Sequence, residues 1–115
     1  MTLSKDELSK IIAENYDNLI VVKFSAPWCG PCHAIAPLFK KLCTNKKLQC
    51  LNIDIDESPD IAEDFNISSI PAFKFIKKAK IVDSFIGADA NKLKTLIVKH
   101  LKEKGGKKEK KEKTK

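Results

Sequence analysis

Apolar side chains first recur along this chain at a helical spacing. Leu8, Ile11, Ile12 and Tyr16 recur as i, i+3, i+4 and i+8, and Ser4 with Glu7 forms a capping box. A helix with one apolar face is predicted from about Lys5 to Tyr16. At Leu19 that spacing stops. Leu19-Ile-Val-Val-Lys-Phe-Ser-Ala26 is too short and too β-branched for a core helix, and its nearly unbroken apolarity suits a strand covered on both faces. From Pro31 to about Asn45 a helical stripe returns as Ile35, Leu38, Phe39 and Leu42. Pro37 lies inside it, where the missing N–H donor predicts a kink.

Leu48 to Ile55 reads as the next strand, and Ser58-Pro59-Asp60 supplies an N-cap, a first-turn proline and an acid for a short helix to about Phe65. Ala72–Lys77 and Ile81–Ile86 are strand-like and joined through Lys78-Ala79-Lys80, short enough for an antiparallel hairpin although no Gly or Asn is present. Asp89 caps a last helix with Leu93, Leu96, Ile97 and Leu101 on its buried face. A βαβ alternation followed by a hairpin and a helix predicts an α/β fold, a small mixed central sheet with helices on both faces. There is no internal repeat.

The 115 residues are 43% hydrophobic and 32% charged, which excludes a disordered or collagen-like chain and fits one domain. The longest apolar run, Leu19 to Val22, is far short of the roughly 20 residues of a membrane span. The first residues carry neither a signal-peptide core nor Arg-rich transit character, so a soluble, cytoplasmic protein is expected. In a reducing compartment the four cysteines are expected to be redox-active, metal-binding or buried rather than a structural disulfide framework. The net charge is +7, but residues 105–115 hold six Lys against two Glu. The expected organisation is a domain over 1–104 and a disordered Lys/Glu-rich tail over 105–115. All 22 basic residues are Lys, so the forked donor that reads guanine is missing and no specific nucleic-acid partner is expected.

Trp28-Cys29-Gly30-Pro31-Cys32 falls where the first strand ends and the proline-containing helix begins. A free cysteine with a pKa of about 8.5 is only about 3% thiolate at pH 7, and the thiolate is the attacking species. A cysteine at the N-cap faces unpaired N–H groups and the positive helix end, worth about 0.3 to 2 kcal/mol, enough to lower its pKa by roughly one unit. Cys32, one turn on, is within reach to resolve a mixed disulfide formed at Cys29, and Pro31 restrains the geometry.

On these residues the chain resembles the thioredoxin family over about residues 4 to 103. Phe24-Ser25-Ala26 before the motif, Pro37, Asp54, Ile70-Pro71 and Gly87-Ala88 are further matches. The resemblance implies a thioredoxin fold, a cis Ile70-Pro71 bond, and a peptide groove lined by Trp28, Gly30, Pro31, Ile70, Pro71 and Gly87. It implies a monomeric protein-disulfide reductase with Cys29 and Cys32 as catalytic residues, no cofactor or metal of its own, and re-reduction by an NADPH-dependent thioredoxin reductase. Cell redox homeostasis and electron transport follow from the same resemblance.

Three departures stand out. Only Met1 to Leu3 precede the helix cap, so the family's first strand is short or absent. Lys23 replaces a buried Asp, the family's proposed proton acceptor for the second cysteine. Either Lys23 snorkels without a catalytic part or it points at the dithiol and lowers the Cys29 pKa. His33 replaces a Lys or Arg and makes the local field pH-dependent if it modulates the site. The plainer reading of His33 and His100 is that both are partly exposed helix residues.

Rival chemistries are weaker. Cys29-Gly-Pro-Cys32-His33 spells a c-type haem attachment motif, but there is no export signal and no methionine beyond Met1. A four-cysteine zinc site is disfavoured because Cys43 falls on a helix and Cys50 on a strand. Those two are read as small buried hydrophobes. The competing function from another class is a non-enzymatic thioredoxin-fold module that docks a partner by strand addition or through Trp28; the presence of both motif cysteines argues against it.

Overall fold

A computed structural model describes residues 3–102; Met1, Thr2 and 103–115, including the 105–115 segment read as a tail, lie outside the described residues. The element order is α1 (Lys5–Glu14), β1 (Leu19–Ser25), α2 (Gly30–Leu42), β2 (Leu48–Asp54), α3 (Pro59–Asp64), β3 (Ala72–Lys77), β4 (Lys80–Ile86) and α4 (Ala90–Lys102). Each predicted element is present. Among the described residues no strand precedes α1, whose Ser4–Glu7 capping box is complete.

The sheet order is β2-β1-β3-β4, with β1 parallel to β2 and antiparallel to β3, and β3 antiparallel to β4. Every residue of β1 is buried, as its continuous apolarity requires of a central strand covered on both faces. Alternation divides that strand between two cores. Leu19 and Val21 face α2 and α4, joining Ile35, Phe39, Phe73, Phe75, Leu93 and Ile97. Ile20, Val22 and Phe24 face α1 and α3, joining Leu8, Ile53 and Ile61. Lys23 follows Leu19 and Val21 in the first row and is therefore driven beneath α2.

Two local features refine the expectation. α2 begins at Gly30, one residue before the predicted start, and carries Pro37 inside it. The hairpin loop is two residues long, because Lys77 pairs with Lys80, and Lys78 and Ala79 take φ of 53° and 63°. This is the left-handed conformation that tight hairpin turns require and that Asn-Gly normally supplies.

Two sequence expectations are overturned. Cys43 and Cys50 are not separate small hydrophobes but a disulfide, with both residues half-buried and their Cα atoms 5.9 Å apart. Cys43 caps the end of α2, and the short return to β2 brings Cys50 opposite it. His100 is buried rather than partly exposed. Its Nε2 bonds Asp83 Oδ2 at 3.0 Å, and its backbone carbonyl accepts from the buried Lys77 Nζ, so β3, β4 and α4 meet in one polar latch.

Candidate active site

Parallel pairing of β1 and β2 puts their C-terminal ends on the same edge of the sheet, and the site is built there. β1 delivers Ala26, Pro27 and Trp28, and Cys29 becomes the N-cap of α2 with φ −89° and ψ 106°. Its Sγ accepts the Cys32 backbone N–H at 3.1 Å, so one otherwise unpaired donor at the helix start is aimed at sulfur. Cys29 and Cys32 form a disulfide, only 4% and 2% exposed, and pack with Ala26, Ile55 and Ile70.

Around this pair the residues of the expected groove are brought together from three segments. Trp28 is 68% exposed, and Gly30 and Pro31 are exposed at the helix start. The Ile70-Pro71 bond is cis, and the Pro71 carbonyl accepts the Gly87 N–H at 2.8 Å, tying the third segment to the second. Gly87 has φ 112°, a conformation in which a side chain is strained. At Gly30 an added Cβ would meet no heavy atom within 4 Å, so that face is open for an approaching chain.

Trp28 is held by a residue that the sequence reading missed. Its Nε1 donates to Asp56 Oδ2 at 2.9 Å. The parallel pairing carries the signal, because the loop after β2 must lie beside the loop after β1. Asp54 Oδ1 in turn accepts the Asp56 N–H at 2.8 Å and shapes that loop.

Beneath Cys32 a cleft of about 320 Å³ is lined by Lys23, Ser25, His33, Asn52 and Asp54. Lys23 is 5% exposed, with its Nζ 5.5 Å from the Phe39 ring centroid and no hydrogen bond or ion pair to another described residue. Burial pushes its pKa below the ordinary value. Lys23 is thus no solvent-directed snorkel. His33 is exposed and donates from Nε2 to the Pro27 carbonyl at 2.7 Å, which places its proton on that nitrogen. Among the described residues no three His, Cys, Asp or Glu side chains are grouped to hold a metal ion, and no helix is long and apolar enough to cross a membrane.

The family model described as Thioredoxin matches residues 1–100. This chain belongs to the thioredoxin family. It is 39% identical over 98 residues to mouse thioredoxin, covering 84% of this chain and 93% of that one. It is 36% identical to Drosophila melanogaster Thioredoxin-T over 84% of its own length, but spans 63% of that relative, and only 23% of an Arabidopsis thaliana TPR repeat-containing thioredoxin. The solved structure of Fasciola hepatica thioredoxin superposes with a TM-score of 0.81 at 40% identity, covering 83% of this chain and 92% of that one. Thioredoxin-family proteins are protein-disulfide oxidoreductases, and this chain carries the joined Cys29–Cys32 pair within its Trp-Cys-Gly-Pro-Cys sequence.

Proposed function

We propose that this protein works in the reducing direction on protein disulfides. The Cys29 thiolate attacks one substrate sulfur, forming a mixed disulfide and releasing the other sulfur as a thiolate that takes up a proton. Cys32 then loses its proton and attacks Cys29, which frees the second substrate thiol and leaves the Cys29–Cys32 bond; two electrons have passed to the substrate. The observation that carries this reading is the N-cap position of Cys29, whose sulfur accepts the Cys32 N–H at 3.1 Å. The same donor and helix end favour a thiolate in the reduced protein.

Trp28, Gly30, Pro31, Ile70, Pro71 and Gly87 form the substrate groove in this reading. Exposure of the Trp28 ring and the open face at Gly30 support it. Lys23 modulates from below by favouring thiolates, and His33 modulates from the rim. An NADPH-dependent thioredoxin reductase restores the dithiol, and the protein acts as a cytoplasmic monomer in electron transport and redox homeostasis. The test is turnover of a protein disulfide with reductase and NADPH. Cys32→Ser should accumulate mixed disulfides through Cys29, whereas Cys29→Ser should lose both turnover and trapping. Equal trapping by the two variants would reverse the assignment, and no turnover by the unaltered protein would favour a docking module.

A further inference from the structure

The second disulfide lies at the opposite end of α2 from the first. Eleven residues of chain from Cys32 to Cys43 amount to about 16 Å of helix rise, so the two pairs cannot exchange within one molecule. Cys43 is the helix C-cap and Cys50 lies on β2, which is at the edge of the sheet among the described residues, and both are half-buried rather than sealed in the core. Other side chains also join α2 to β2 beside Cys43 and Cys50. Ile35 and Phe39 of α2 and Leu48 of β2 are already held in the core shared with β1 and β3.

The surroundings are cationic. Lys40 and Lys41 occupy the last turn of α2, and Lys46 and Lys47 the connection to β2, all exposed, while residues 33–53 contain no Asp or Glu. The neighbouring acid Asp17 shares a surface hollow with Lys47 and is paired with Lys78 Nζ at 3.0 Å. The negative end of the α2 dipole opposes this field, but it amounts to about half a charge against four whole ones. Cations beside a disulfide draw anionic thiols toward it and stabilise the thiolate that leaves.

We propose that Cys43–Cys50 is a second thiol–disulfide centre, independent of the reductase site, whose co-substrate is a small anionic thiol of the glutathione class. The first thiolate attacks one sulfur of the pair, forming a mixed disulfide and releasing the other cysteine, which takes up a proton. A second thiolate attacks the small-molecule sulfur of that mixed disulfide, producing the small disulfide and the second free cysteine. Two electrons enter the pair. The reverse reaction consumes the small disulfide and restores the bond between α2 and β2.

The test uses the full chain with Cys29→Ser and Cys32→Ser, so that only the second pair responds and failure of the reductase reading leaves the outcome unaffected. Incubation with millimolar reduced glutathione should open the bond, read by alkylation and mass, through a singly glutathionylated intermediate and with unchanged circular dichroism. Adding Lys46→Gln and Lys47→Gln should slow the reaction with glutathione about threefold to tenfold, and distinctly more than that with β-mercaptoethanol, whose thiolate carries no further charge. A bond that persists throughout, cysteines that are already free beforehand, or opening accompanied by unfolding would overturn the proposal. Equal slowing with both thiols would remove the anionic class.

Discussion

Lys23 works against the fold that contains it, because an ammonium taken out of water without a hydrogen bond or ion pair among the described residues is poorly compensated. Lys23→Met keeps the stem and removes the charge, and should raise stability by about 1 to 3 kcal/mol in denaturant titrations. The advantage depends on pH in a defined direction. Below the depressed folded-state pKa the lysine is charged in both states and the penalty is full; as pH rises through that value toward the ordinary 10.5, the folded protein sheds the proton first and the difference from the Met variant shrinks. A pH-independent difference would contradict this account. The same substitution should raise the Cys29 pKa in an ultraviolet thiolate titration, and identical titrations would remove Lys23 from the chemistry. The burial of Lys23 was legible once Leu19–Ser25 was read as covered on both faces, since an interior row has no solvent side. His100 was missed although 93, 97 and 100 share one helical face, because its polarity was weighed and its partner Asp83, seventeen residues away on β4, was not visible.

At the scale of elements, the hairpin between β3 and β4 turns through Lys78 and Ala79 with positive φ at both. An L-residue in this conformation is disfavoured by about 1 to 2 kcal/mol, whereas glycine is not, though glycine loses more freedom on folding. Ala79→Gly should therefore gain about 0.5 to 1 kcal/mol net, read as a melting temperature several degrees higher. No change would mean that the flanking strands absorb the strain. The latch from β4 to α4 has its own signature: the His100 hydrogen bond holds the Asp83 carboxyl below its ordinary 3.8. Stability from this contact is present above that value and is lost as pH falls through the lower folded-state pKa. Melting curves from about pH 5 down to pH 2 should fall more steeply for the wild type than for Asp83→Asn. Element identities were readable because period and caps agreed throughout. The turn was misjudged by one residue because pairing of Lys77 with Lys80 is set by the register of two strands, which neither strand's own pattern states.

For the whole molecule, the Cys43–Cys50 bond closes a short loop, and chain-entropy arithmetic for about eight residues gives about 2.5 kcal/mol. Cys43→Ser with Cys50→Ser should lower the melting temperature by roughly 10 to 20 °C. A folded protein at room temperature is still expected, since domains of this size have about 5 to 15 kcal/mol in hand. That pairing was invisible in the sequence because it depends on how the end of α2 crosses the edge of the sheet, a distance no local pattern encodes; the active-site pair was visible because three residues on one helix turn fix it locally. The central place of β1 has a further consequence for how the domain opens. Its backbone is bonded to β2 on one side and β3 on the other, and both of its faces are covered, so no partial fraying reaches its amides. Among the described residues β4 has a neighbouring strand on one side alone. In deuterated water the β1 amides should exchange only through global unfolding, at the full unfolding free energy, while those of β4 exchange through smaller local excursions, and the time course of labelling would trace the order in which the sheet comes apart.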